Sequence, residues 1–215
     1  MLRTDNVTTA GLSDRTATDA RRSSSGALVI LVGPDGVGKT TIARELAAVY
    51  QGPTVYFHFV PPIRETMSST PPEISAPHLG KGKPSGSRVL GWLRLFRNAG
   101  RFWLGYLLRV RPAIAKGSLV IGDRGMYGYL VQPNALKFFG PAGLAKAVLR
   151  ALPTPDLVVN LSAPPDVIRK RKQELSREAI VRELAAWRML PTRRLRTFDA
   201  EQTPTAIGLQ IVEEI

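Results

Sequence analysis

Eight consecutive residues, Gly33 to Thr40 (GPDGVGKT), match the spacing G-x-x-x-x-G-K-[ST] in full. Gly33, Gly36 and Gly38 admit backbone angles closed to other residues and let the main chain approach a ligand. Their N–H groups can wrap phosphate oxygens, helped by the positive end of a helix that follows. Pro34, Asp35, Val37 and Thr41 complete the expected nucleotide-binding segment. Lys39 is spaced to reach β- and γ-phosphates, and the Thr40 hydroxyl to ligate Mg²⁺. By itself the loop says only that phosphates bind.

Two further stretches could act beside it. "LVIGDR" ends in Asp123 and Arg124 at the C-terminal end of an apolar run. A carboxylate there can hold Mg²⁺, directly or through water, and Arg124 offers a planar fork to an acceptor phosphate. A strand-end salt bridge is the plainer alternative. "PPDVIRKRKQELSREAI" starts a helix at Pro164 and Pro165 and carries Arg169, Lys170, Arg171 and Lys172 in a row. Either this is a solvated basic face, or it is a hinged lid whose arginine charge stabilises a transferring phosphoryl group. The lid reading is preferred, with Arg171 in the hinge as the first candidate and Arg169 as the second. His58 and His78 are too isolated to form a metal site, and each reads as a satisfied or solvated histidine.

The elements that must position these residues are legible as apolar runs. "ALVILV" (27–32) is unbroken, as expected of a parallel strand buried on both faces, and Ile42, Leu46, Val49 and Tyr50 follow the loop at helical spacing. Further strands are expected at 54–60, 118–124, 156–163 and 194–200. With helical stretches between them the order is βαβα, an α/β fold with a parallel sheet and helices on both faces. Thr203 and Pro204 read as the cap and first turn of a closing helix.

Residues 61 to 88 are dense in Pro, Ser and Gly and leave the sheet at the edge where ligands bind, which makes a functional or disordered loop. Residues 88–111 then bring Leu90, Leu93, Phe96, Trp103, Leu104, Leu107 and Leu108 onto shared helical faces, with Arg94, Arg97, Arg101 and Arg109 among them. Such a segment can lie on a membrane surface or form a core helix whose arginines line an anionic pocket. We take the core or pocket reading, and Gly100 and Gly105 suggest two helices or a kink.

A net charge of +13 invites a nucleic-acid partner. No helix-turn-helix, RNA-recognition or zinc-finger pattern supports one, so a basic phosphate-handling enzyme is preferred. The absence of cysteine excludes disulfides and thiolate metal sites. No run reaches the roughly 18 apolar residues a membrane span needs, and the first residues lack a secretory apolar core. Asp5, Asp14 and Asp19 argue against an organelle transit peptide. A cytoplasmic setting is expected. Residues 1–25 are too poor in large apolar groups to order and read as a disordered tail before one domain at 26–215.

From about residue 27 onward, the chain resembles a thymidylate kinase of the P-loop nucleoside monophosphate kinase group. The resemblance is carried by "GPDGVGKTT", "LF…AGR", "P…KGSLVIGDR" and "PDLVVNLSAPPDVIRKR", in that order. It implies a three-layer P-loop NTPase fold with five parallel strands in the order 2-3-1-4-5. It further implies an acceptor-side insertion at 61–115 and a lid at 166–190. The donor it implies is ATP with Mg²⁺ on Thr40 and Asp123, and Lys39, Asp123, Arg169 and Arg171 would be catalytic. The partner would be a small phosphorylated acceptor held by Asp35, Arg101 and Arg124. A homodimer and a membrane contact through 88–111 stay open, the latter not favoured. The chain departs from the family after the Asp-Arg pair, where "DRGMYGYLVQP" has Gly125 in place of an aromatic, and Arg101 is one residue off its expected spacing. The expected function is therefore ATP-dependent phosphoryl transfer, most readily to a nucleoside monophosphate. A sugar-phosphate kinase and a non-catalytic ATP-binding module are the alternatives.

Overall fold

A computed structural model describes residues 26–69, 71, 87–172 and 176–215. The expected tail at 1–25, His78, most of the Pro/Ser/Gly-rich loop and residues 173–175 lie outside the described residues.

Ala27–Val32 (β1) is buried at all six positions, because it runs through the middle of the sheet with helices above and below. Around it stand Thr54–His58 (β2), Leu119–Asp123 (β3), Leu157–Ser162 (β4) and Leu195–Asp199 (β5). Every pairing is parallel and the order is β2-β3-β1-β4-β5. Side chains of β1 alternate between two cores. Val29 and Leu31 pack with Ile42, Leu46, Ile207 and Ile211, whereas Leu28, Ile30 and Val32 pack with Leu95, Phe102 and Trp187. Each such fully buried aliphatic side chain contributes roughly 1.5–3 kcal/mol, so the three-layer arrangement follows from an apolar strand that must be covered twice.

The helices are Lys39–Val49 (α1), Arg88–Gly105 (α2), Arg111–Ala115 (α3), Gly128–Val131 (α4), Ala142–Arg150 (α5), Pro165–Arg171 (α6), Arg177–Arg188 (α7) and Pro204–Glu213 (α8). The closing helix starts as the sequence predicts, with Thr203 Oγ1 accepting from the Ala206 N–H and Pro204 in the first turn. Two expected strands end earlier than the apolar runs suggest. Phe59 and Arg124 have φ of 60° and 62°, outside the extended region, so β2 stops at His58 and β3 at Asp123.

The 88–111 segment requires a correction. Gly100 does not break α2, which continues into a π-helical stretch at Tyr106–Val110 before α3. The face turned inward is Gly91, Leu95, Asn98, Phe102 and Gly105, and the seven apolar residues expected in the core are all exposed. Close approach decides the rotation: a Cβ at Gly105 would lie 2.5 Å from the Pro61 carbonyl oxygen. The helix therefore seats the face of Gly91, Leu95, Asn98, Phe102 and Gly105 on the domain and leaves Leu93, Phe96, Leu104 and Leu107 facing outward.

Candidate active site

The phosphate loop crosses from the C-terminal end of β1 to the first turn of α1. Gly36 and Gly38 take φ of 81° and 111°, values that favour glycine, and no side chain caps the first turn of α1. The helix thus opens with N–H groups aimed into the loop and the positive end of its dipole behind them. Lys39 is buried inside this curve, and Nζ donates to the carbonyls of Gly33 (3.0 Å) and Pro34 (2.8 Å). Its amine also lies 3.8 Å from Asp35 Oδ1. Burial pulls its pKa below the ordinary lysine value, opposed by the charges of Asp123 and Glu183, while Lys172 adds to the lowering.

β3 delivers Asp123 and Arg124 beside the loop, because β1 pairs Leu31 with Asp123 and the Arg124 N–H donates to the Leu31 carbonyl at 2.7 Å. Asp123 Oδ2 accepts from the Tyr56 hydroxyl at 3.2 Å and lies 3.3 Å from His58 Nδ1. A carboxylate can only accept, so the His58 tautomer that completes this contact carries its proton on Nδ1. Burial pushes the Asp123 pKa up, but the His58 hydrogen bond, the Lys39 and His58 charges and the Tyr56 hydroxyl outweigh it and hold the carboxyl below its ordinary value. Among the described residues Asp123 Oδ1 is buried and makes no hydrogen bond. A buried ionised oxygen without a donor fits a hard cation, and with Thr40 it would make the sparse protein ligand set that Mg²⁺ accepts when phosphates and water complete its shell. No cluster of three or more acidic, His or Cys side chains exists among the described residues to serve as an all-protein metal cage.

Arg124 departs from the strand conformation, and its guanidinium forms an ion pair with Asp35 of the loop. A non-glycine residue held at positive φ costs about 1–3 kcal/mol, a strain that concentrates at functional sites. Asp35 and Arg124, two of the three residues assigned to the acceptor from sequence, are thus brought together. Arg101, the third, is placed differently: it is exposed on α2. The buried polar side chain of that helix is Asn98, whose Nδ2 donates to the Tyr129 hydroxyl at 2.8 Å.

The four consecutive cations are separated by helix geometry. Arg171 Nη1 reaches the Val37 carbonyl of the loop at 3.4 Å, and the Lys172 Cβ lies close enough to Gly36 that a Cβ there would be 2.9 Å away. Arg169 is exposed on α6, on the side of Glu178, whose carboxyl feels its charge.

Three neighbours of the site, Tyr56, His58 and Glu183, were not assigned to it from sequence, and the buried Asn98 of α2 was not singled out. Tyr56 and His58 reach Asp123 because β2 pairs in register with β3, His58 opposite Asp123; their alternate spacing on one strand was the available signal. Asn98 carried none beyond its place on an apolar helix. Glu183 interrupts the buried stripe Ile180, Leu184 and Trp187 of α7, and an acidic residue on such a stripe is a detectable anomaly. Among the described residues its Oε2 is buried without a hydrogen bond, and its charge acts on both Lys39 and Arg124.

Residues 28–66, which hold β1, the loop, α1 and β2, match the family described as AAA domain (dynein-related subfamily). No curated protein matches the sequence significantly. A thymidylate kinase from Candida albicans has a similar structure, with a TM-score of 0.53 and 17% identity over 88% of this chain and 90% of that one. What the chain shares with these proteins is the P-loop NTPase fold, here a five-stranded parallel sheet with the G-x-x-x-x-G-K-[ST] loop after β1.

Proposed function

We propose that the protein transfers the γ-phosphoryl group of ATP to a small phosphorylated acceptor, a nucleoside monophosphate in the first instance. The carrying observation is the placement of an ion-paired Arg124 and Asp35 at the lip of a phosphate loop that already holds Lys39 and adjoins Asp123. A planar guanidinium at that lip offers a bidentate fork to an acceptor phosphate beside the donor loop. The likeness to a solved thymidylate kinase supports the fold on which such chemistry runs.

In this reading the loop N–H groups and Lys39 hold the donor phosphates. Thr40 and Asp123 would hold Mg²⁺, which would neutralise phosphate charge. His58 and Tyr56 keep Asp123 ionised and oriented. Arg124 exchanges its Asp35 partner for the acceptor phosphate and lines it up for in-line attack, and the acceptor oxygen forms its bond to phosphorus as the bond to the ADP oxygen breaks. Arg171, at the loop, stabilises charge on the migrating group, and preorganised charges of this kind supply most of the catalysis in phosphoryl transfer. Arg169, exposed on α6, has no role in this reading.

The match of residues 28–66 to an AAA domain favours a second reading, an ATPase without an acceptor. ADP release measured with MgATP and a panel of nucleoside monophosphates, nucleosides and sugar phosphates separates the two. Stimulation by one acceptor class, with phosphorylated product, supports the kinase. Steady ADP release that no acceptor alters supports the ATPase.

A further inference from the structure

On the opposite side of β1 from α1, a cavity of about 360 Å³ opens between α5, the 152–155 turn and the 191–194 turn. None of the loop residues Gly33–Thr41 lines it. Its floor is apolar, built by Leu28 and Ile30 of β1, Phe102 of α2 and Met126. Its rim carries Lys146, Arg150, Arg193 and Arg194, and no acidic residue is among the lining side chains. The size lies within the roughly 300–1,000 Å³ of small-molecule sites. An apolar floor under four cations selects one ligand chemistry, an anionic head on a compact apolar body.

We propose that this cavity is a second ligand site, for an amphipathic anion bearing a phosphate, sulfate or carboxylate head. The site is built against the acceptor arginine. Gly125, which directly follows Arg124, lines the cavity and adds no side chain to fill it; a Cβ there would meet only Ile30, at ordinary contact distance. The Tyr127 and Thr192 side chains are hydrogen-bonded, which ties the turn after Arg124 to the loop that carries Arg193 and Arg194. A ligand wedged between them touches the segment that sets the Arg124 backbone. Nothing in this inference requires the protein to be a kinase.

Octyl phosphate and 1-naphthyl phosphate, standing for alkyl and aromatic bodies, can be titrated into the full chain by calorimetry. At least one is expected to bind with one-to-one stoichiometry, and octanol and inorganic phosphate to bind at least about tenfold more weakly. The pair Arg150→Gln and Arg194→Gln changes exposed residues, keeps the fold, and is expected to weaken binding by about tenfold or more. Leu149→Trp, which fills the cavity, is expected to weaken it as well, whereas Lys39→Ala is expected to leave it unchanged. The proposal is overturned if neither phosphate ester binds, if octanol binds equally well, or if binding survives the arginine pair and is lost in Lys39→Ala.

Discussion

The carboxylate of Asp35, in the phosphate loop, is ion-paired with the guanidinium of Arg124, which follows β3. The pair joins two segments 89 residues apart in sequence (124 − 35) and closes the gap between the loop and the neighbouring strand. Both side chains are largely shielded, Arg124 at 17% and Asp35 at 15% exposure, so solvent screening removes only part of the interaction. A double-mutant cycle with Asp35→Asn and Arg124→Gln should give a coupling on the order of 1 kcal/mol in unfolding free energy. Strict additivity of the two single changes would mean the pair contributes nothing to holding the site together.

Arg124→Ala should act on the acceptor more than on the chemistry. An arginine that grips a phosphate in ground and transition state alike raises KM when removed, with a smaller effect on kcat. Steady-state kinetics with a responsive acceptor decide this. A large fall in kcat at unchanged KM would place Arg124 on the migrating phosphoryl group instead.

Lys39→Ala should abolish phosphoryl transfer, by on the order of 10²-fold or more, with the fold intact by circular dichroism. Turnover near that of the unaltered protein would rule out the assignment of the loop as the catalytic donor site. Glu183→Gln refines the same point. Burial is what lowers the Lys39 pKa, and the Glu183 charge partly offsets it, so neutralising Glu183 must lower it further. The alkaline limb of the pH–rate profile should shift to lower pH in Glu183→Gln. An unmoved limb would show that the carboxylate does not act on Lys39.

Asp123 makes a prediction about pH and stability. Its folded pKa lies below the ordinary value of 3.8, so the native state favours the ionised form. The stability this contributes is fully present above that value and is lost as pH falls through the lower, folded one. Denaturant unfolding should therefore show the protein losing stability below pH 3.8 relative to Asp123→Asn, which lacks the titration. A constant difference between the two at all pH values would contradict a lowered Asp123 pKa in the folded state.

Arg169 and Arg171 should differ. Arg171 reaches the loop and Arg169 faces solvent. Arg171→Ala should lower kcat with little change in acceptor KM, and Arg169→Ala should leave both within about twofold. Equal losses in both variants would mean that Arg169 also acts at the site.

The sequence by itself determined the parts that depend on neighbouring residues. GPDGVGKT specifies its own loop, because glycine spacing, the following helix and the lysine all act within one strand–loop–helix unit. The apolar runs determined the central strands, because a segment buried on both faces is built mostly from apolar side chains, with Asn160 and Ser162 of β4 among the polar exceptions. What the tertiary structure alone decided was everything set by register and rotation between distant segments. Only the parallel pairing of β2 with β3 sets His58 and Tyr56 against Asp123, although all three were visible as letters. Only the seating of Gly105 on Pro61 turned the apolar ridge of α2 outward, against the expectation from its hydrophobicity. Only the packing of α7 brought Glu183 within electrostatic reach of Lys39. Local propensity is written into a short stretch of chain, whereas the meeting of two stretches depends on close packing among residues that sequence distance does not relate.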